Sequence, residues 1–599
     1  MFVIYAMSER AKSMPYQFRR ARVVAGVAVA AAGALALSGV AQASDNSTRL
    51  GLATAHVRAS APLSPLPTLL PIPCVPVLHL VSCPPSLRIT DVPTANPKSS
   101  GVTSPNVLSP ELAEVVAAQG SNKLENGTPA VPYYGYNGDG SLMPAPGDLP
   151  SATHKVEATK TEPDKNTYLR LNNQHGADPA YNYGTHFVFQ GHEGGSPGYL
   201  TRINLDADAA HRVTLLATTD VNNVPLPRFD GSTWDPWAQR LLFTAELGNA
   251  GGVWQSTTDV NAQVQDISAA LGRGGYEGIQ NDSAGQLAIV EDAGGATVAG
   301  TNARIPNSFV YRFVPVNPGD LTKGKLEALQ VLSNATHQPI TFQPIDAAHP
   351  QGNAFSPDQR ALHTYGNTFD TKWVTVHDTA ADPSGTAFDA NALAKAAGAT
   401  PFKRPENGQF RPGSNFREFF FDETGDTNAN STANADFGGW GSVLKLAQSN
   451  PRADTGKLSL VYQGDGVHAA FDNVAFTDTD HLAVVEDAGD TLHTQHNALD
   501  SGYLLDVTQN YADPHNKPVR FLAQGRDPSA TLDSAFLGMP GFQNDGDNEI
   551  TGIHVSDGDA SINGILGAKP PTPFTNGWRV FYTQQHGDNP TWEIISAVR

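Results

Sequence analysis

Apolar and polar positions alternate in short bursts along most of this chain, and one burst occurs twice. Residues 276–295 read YEGIQNDSAGQLAIVEDAGG, and residues 471–490 read FDNVAFTDTDHLAVVEDAGD, aligned without a gap at an offset of 195. Each copy opens on an aromatic residue and an acid, Tyr276-Glu277 and Phe471-Asp472. A short apolar run follows, then a polar turn, then a second apolar run that ends in Glu-Asp-Ala-Gly. The pattern predicts a strand, a tight turn and a strand, with acids where each strand meets its loop. Repetition of such a unit predicts stacked or radially arranged sheets. In a radial arrangement, acids at equivalent positions converge on one spot, and converging carboxylates need a cation.

The rest of the chain carries looser versions of the same unit. Residues 228–248 hold an acid (Asp230), a turn around Asp235-Pro236, a strand over 240–244 and then Glu246. Further strands are expected from His186 onward, over 309–315, 416–422 and 442–447, and finally over 579–586, making five or six irregularly spaced units. Residues 133–178 read as loop. His186 and His192 read as hydrogen-bonded residues beside strand ends rather than ligands. Ser109-Pro110-Glu111 predicts the cap of a short helix running to Gln119, and Asp389 the cap of a second running to Ala397 before Gly398. The stretch DETGDTNANSTANAD (422–436) lacks EF-hand spacing and reads as a solvated turn.

Composition narrows the class. The 56 glycines and 44 prolines suit many short strands joined by turns and argue against a helical bundle. A formal net charge of −20 repels nucleic acid and anionic membranes and favours multivalent cations. Arg19, Arg20 and Arg22, an apolar small-residue core over 23–40 and Ala41-Gln42-Ala43 predict an export signal over residues 1–43. The Arg19-Arg20 pair suits twin-arginine (Tat) export, while its flanks leave the general secretory (Sec) route open. Residues 44–130 then read as a Pro/Ser-rich arm, and 131–599 as one β domain. The two cysteines, Cys74 and Cys83, both fall in the arm, where export and close spacing favour a local disulfide over metal binding. The expected mature protein is secreted, monomeric and without membrane insertion.

Six phrases, in order, resemble the exported bacterial alkaline phosphatases of the PhoX family. They are LGRGGYEGI (271–279), FVYRFV (309–314), ATPFKRPEN (399–407), FDNVAF (471–476), DNEITG (547–552) and RVFYTQQH (579–586). The resemblance implies an all-β, six-bladed β-propeller with long inserted loops and a few short helices. It also implies iron and calcium ions in the axial channel and cleavage of small phosphate monoesters. Carried over motif by motif, Glu277 and Glu406 would be metal ligands and Arg404 would hold the phosphate, with Asp487 and Glu549 as further ligands. The chain departs from the family at its cysteines. Ala245 stands where the family has a thiolate ligand, and Asn548 replaces a second cysteine. Thiolate suits iron, whereas carboxylates suit calcium, magnesium or manganese, so Ca2+ is expected, Fe3+ is put in doubt, and Glu246 becomes an oxygen ligand in the thiolate's stead.

The chemistry is consistent with this reading. The charge on a phosphate ester opposes attack until metals and an arginine neutralise its oxygens. Arg404 and Glu406, two residues apart across Pro405, can set a guanidinium fork beside a metal-bound carboxylate. The alternatives are a calcium-stabilised propeller acting on another ester (a phosphodiester, phytate or a lactone) and a calcium-binding propeller without activity. No P-loop is present.

Overall fold

The repeated segment folds as two hairpins of identical register. Tyr276 pairs with Glu291 and Phe471 with Glu486, positions that the offset of 195 makes equivalent. Each hairpin carries a bulge at its acid, between Tyr276 and Ile279 in one and between Phe471 and Asn473 in the other. A bulge leaves a residue unpaired and re-aims its side chain. Glu277 and Asp472 sit in those bulges.

The computed structural model describes residues 89–98, 105–138, 159–525, 549–585 and 588–597. The export signal, both cysteines, Asp547, Asn548 and His586 lie outside the described residues. Within them the fold is all-β, and α-helix is confined to Ser268–Leu271, Pro357–Leu362, Ala390–Ala396 and Gly489–His496.

The strands form five sheets. Pro163–Arg170, His186–His192, Leu200–Asn204 and Val213–Ala217 make one in chain order, and Ser232–Asp235, Arg240–Ala245, Gly252–Ser256 and Val264–Asp266 make the next. A nine-stranded sheet begins at Tyr276–Asn281 and ends at Gly408–Phe410, with Thr368–Asp378 at its middle. The fourth sheet begins at Phe471–Phe476, and the fifth at Ile550–Ser556. Both are completed from the other end of the chain. Val107–Leu108 pairs with Val519–Ala523, and Leu112–Ala118 with Thr591–Ser596.

The end strands close on one another. Pro163–Arg170 contacts Ser232–Asp235, which contacts Tyr276–Asn281, and the series continues through Gly408–Phe410, Phe471–Phe476 and Ile550–Ser556 back to Pro163–Arg170. The arrangement is propeller-like, and its core lies between consecutive sheets. Phe187, Phe189 and Leu200 of the first sheet pack with Phe243 and Trp254 of the second. Tyr168 and Val188 meet Ala118 and Phe581 across the junction of first and last. Each such side chain, fully buried, contributes about 1.5–3 kcal/mol relative to exposure.

Four expectations need correction. The helix expected over 109–119 is the strand Leu112–Ala118, because edge pairing to Thr591–Ser596 overrides a capping signal on a segment of seven residues. Residues 107–118 therefore belong to the sheets and not to the arm expected over 44–130. The loop expected over 133–178 contains the strand Pro163–Arg170. The stretch 422–436 is not a solvated turn at its start. Asp422, Glu423, Thr424 and Asp426 are buried, and Asp426 holds the Lys403 ammonium at 3.0 Å. The helix at 390–396 forms as expected, with Asp389 accepting from the Ala392 amide at 2.8 Å and Gly398 in the left-handed region.

Candidate metal centre

An acid stands at the start of every strand in the ring. Asp164, Glu277 and Asp472 are the second residues of their strands, Asp230 and Glu406 precede theirs by two, and Glu549 precedes its strand by one. The second strand of several sheets ends on another acid: Glu193 follows His186–His192, Glu246 follows Arg240–Ala245, Asp292 follows Leu287–Glu291 and Asp487 follows His481–Glu486. Each of these hairpins thus presents a carboxylate from both of its ends.

Seven of these acids meet in three overlapping triads, Asp164–Glu193–Asp230, Asp230–Glu246–Glu277 and Glu277–Asp292–Glu406. Within each triad the ligand oxygens lie within 4.8 Å of one another. Burial, reinforced by mutual repulsion, drives Asp164, Asp230, Glu277 and Asp472 well above the usual carboxylate range. The same causes push Glu246 up to about 10 and Glu406 up to about 8. Like charges this close hold protons or a cation. Asp164 Oδ1 and Asp292 Oδ1 are buried without a hydrogen-bond partner. Orphaned oxygens in an all-oxygen donor set, buried except for the half-buried Glu193 and Glu246, fit hard divalent cations.

Arg404 lies against the third triad. Its Nε donates to Asp292 Oδ2 at 2.6 Å, and its Nη2 lies 2.6 Å from the same oxygen and 3.2 Å from Glu406 Oε1. Burial opposes its charge, but Asp292 and Glu406 outweigh that and hold the guanidinium well above its ordinary value. Its Nη1 makes no hydrogen bond among the described residues, and the side chain is 19% exposed, so one donor edge is available to an anion. The backbone here is left-handed, with φ 60°. The Thr424 amide fixes it by donating to the Arg404 carbonyl at 2.9 Å. A non-glycine residue in that region costs about 1 kcal/mol or more and persists only where the surroundings enforce it.

Small residues let the acid-bearing strands approach. A Cβ on Gly231 would fall 2.0 Å from the Glu277 carbonyl, and one on Gly278 would fall 2.8 Å from Asn407 Cα. Gly278 instead donates its amide to the Glu406 carbonyl at 2.8 Å, and Thr244 Oγ1 donates to that of Glu277. The Thr424 hydroxyl donates to Glu406 Oε1, and Glu423, paired with buried His363 at 2.8 Å, accepts from the Lys403 amide at 2.8 Å.

The structure brings Glu246, Glu277 and Glu406 into the triads, with Arg404 alongside. Asp487 acts electrostatically on Arg404, Asp164 and Asp472 but belongs to no triad. Glu549 adjoins the site through its backbone, its carbonyl accepting from the Gln585 amide at 3.0 Å. Gln585 Nε2 donates to Glu193 Oε2 at 2.9 Å. Ala245, fully buried at its strand end, offers no ligand atom. His186 pairs with Asp206 at 2.9 Å, and His192 stacks on Tyr199 at 4.0 Å between Thr161 and Thr201; neither joins a triad. Sequence reasoning passed over Asp164, Glu193 and Asp292 and took Asp230 only as a repeat marker. The acid at both ends of a hairpin is the signal that finds them.

Glu291, beside Asp292, has a structural task. Its Oε2 accepts from the Phe309 amide, the Tyr311 hydroxyl and Asn391, tying the helix Ala390–Ala396 to the sheet, while Oε1 is buried and unpartnered. Burial pushes this carboxyl up to about 7. The unfolded chain therefore releases the proton first, and stability falls as pH rises from the ordinary glutamate value through about 7. Relative to wild type, Glu291→Gln should gain about 3 kcal/mol between about pH 4 and about pH 8. Urea melts at both pH values measure this, and parallel curves for the two proteins would refute it.

The fold and this centre define a class: a propeller-like protein whose clustered carboxylates can hold cations beside an anion-binding arginine. The family model described as alkaline phosphatase PhoX matches residues 266–565, half of the chain. The chain belongs to that family and is a phosphatase, a phosphoric monoester hydrolase. Glu277, Asp292, Arg404, Glu406, Asp487 and Glu549 fall inside the matched span, whereas Asp164, Glu193, Asp230 and Glu246 precede it. No curated protein matches the chain. Among solved structures, the crystal structure of Chaetomium thermophilum Sqt1 bound to the N-terminus of the ribosomal protein L10 is similar at 12% identity and a TM-score of 0.29, covering 73% of this chain and 97% of that one.

Proposed function

We propose that this chain is an exported, monomeric, calcium-dependent phosphomonoesterase that releases phosphate from small organic esters. In this reading the nine-stranded sheet counts as two blades bridged by Thr368–Asp378, which gives six blades around the closed ring of end strands. The observation that carries the reading is the junction of the third triad with Arg404, since Asp292 and Glu406 serve both. A purely structural cation site has no use for an anion clamp with a free donor edge.

The triads would hold the cations, with Asp230 and Glu277 shared between neighbours. When bound, such ions polarise phosphoryl oxygens and lower the pKa of water. The chain's own residues do the rest. Arg404 presents Nη1 to a phosphate oxygen while Asp292 and Glu406 fix the plane of its fork. Lys403 does not compete for the anion, because Asp426 holds its ammonium with both carboxylate oxygens. The oxygen-only triads and the apolar Ala245 favour calcium over iron.

The test is metal analysis of the protein as isolated, together with hydrolysis of p-nitrophenyl phosphate and of its bis-ester. Bound calcium, little iron and preferential monoester turnover at alkaline pH are expected. Faster turnover of the diester would overturn the substrate reading, and stoichiometric iron would overturn the metal reading.

A further inference from the structure

One cation in this region is supplied by the chain itself. Lys165 follows Asp164 directly, and the bulge between Pro163 and Asn166 contains both residues. A lysine buried to 2% exposure is unusual unless it is paired. Its Nζ donates to Asn473 Oδ1 at 2.5 Å. Burial pulls this ammonium down to about 8, opposed, strongest first, by Asp472, Asp164, Asp422 and Asp230. Two of them, Asp422 and Asp472, belong to none of the triads. Asp422 accepts from the Asn407 amide at 2.7 Å through Oδ1, while its Oδ2 is buried without a partner. Asp472 Oδ2 accepts only from Asn473 Nδ2, at 3.5 Å. Two buried carboxylates so poorly served by hydrogen bonds are driven well above the usual range by burial and hold protons unless a counter-charge stands beside them.

We propose that Lys165 is a resident cation, serving Asp422 and Asp472 in place of a further divalent ion and so limiting how many metal ions the centre takes. At neutral pH the ammonium supplies one charge without geometric demands and is present before any metal arrives. The inner carboxylates can then fold together in metal-free protein, leaving the triads for exchangeable ions. This rests on the reading of the triads as cation sites.

The experiment compares wild type with Lys165→Met, each equilibrated with calcium, desalted and analysed for bound metal, then melted with and without EDTA. Lys165→Met should retain about one more calcium per chain than wild type and lose more melting temperature on chelation. Equal calcium counts and equal losses would overturn the role of Lys165. A wild type that binds no divalent ion would instead sink the cation reading of the triads. If Lys165→Met does not fold, Lys165→Met/Asp472→Asn decides, since it removes one charge of each sign. Recovered folding with the wild-type calcium count supports the proposal, and failure to recover folding overturns it.

Discussion

Exhaustive chelation is expected to lower the melting temperature by about 8 °C and to reduce phosphatase turnover at least ~100-fold. A ligand that binds only the native state stabilises it by about 2.7 kcal/mol at a hundredfold excess over its dissociation constant. Three triads filled at that level give about 8 kcal/mol. Unfolding entropy of about 2.1 cal/mol/K per residue makes about 1 kcal/mol/K for a unit of this size, so the two figures convert nearly one to one. The effect should depend on pH. In metal-free protein, burial and repulsion from Asp292 push Glu406 up to about 8 and Glu246 up to about 10. A cation must displace those protons, so its affinity rises as pH climbs through that range and the protection it gives grows with it. Differential scanning fluorimetry with calcium or EDTA at several pH values measures this. Overlapping melts with and without EDTA would refute it.

What was legible in the sequence follows from where its patterning is governed by packing. The hairpins at 276–291 and 471–486 could be read because their apolar runs face the cores between sheets and recur at a fixed offset. Glu277 and Glu406 were legible through the phrases around them. The strand Pro163–Arg170 was not, although it contributes Asp164. Its residues Asp164, Lys165, Asn166 and Thr167 are polar and buried: Asp164 joins a triad, Lys165 reaches Asn473, and Asn166 and Thr167 bond to Thr583 and Ser232 of the neighbouring sheets. Hydrophobic alternation disappears where a strand's buried surface is the site itself, and a strand of that kind reads as loop. Leu112–Ala118 failed for the opposite reason: its local signals are helical, and its partner lies at the far end of the chain. No local pattern encodes a pairing across more than four hundred residues.

Arg404→Ala is expected to lower kcat/KM for a phosphate monoester by about 10²–10³, the usual cost of removing one group that stabilises transition-state charge. The substitution takes away the donor edge at Nη1 together with the counter-charge that Asp292 and Glu406 share. Those two losses separate experimentally. If only the counter-charge mattered, Arg404→Lys would restore full activity, because an ammonium neutralises the same acids. An ammonium has no planar fork, however, and cannot bridge Asp292 and a phosphate oxygen in one fixed plane. Arg404→Lys should therefore melt close to wild type yet recover only part of the turnover. Inhibition by inorganic phosphate should weaken in parallel, because product uses the same donor edge. Metal content must be measured in each variant, since the third triad gains net negative charge in Arg404→Ala and should hold its cation at least as tightly. An Arg404→Ala protein with wild-type metal content and kcat/KM within threefold of wild type would remove Arg404 from the phosphate site and leave it as a strut between Asp292 and Glu406.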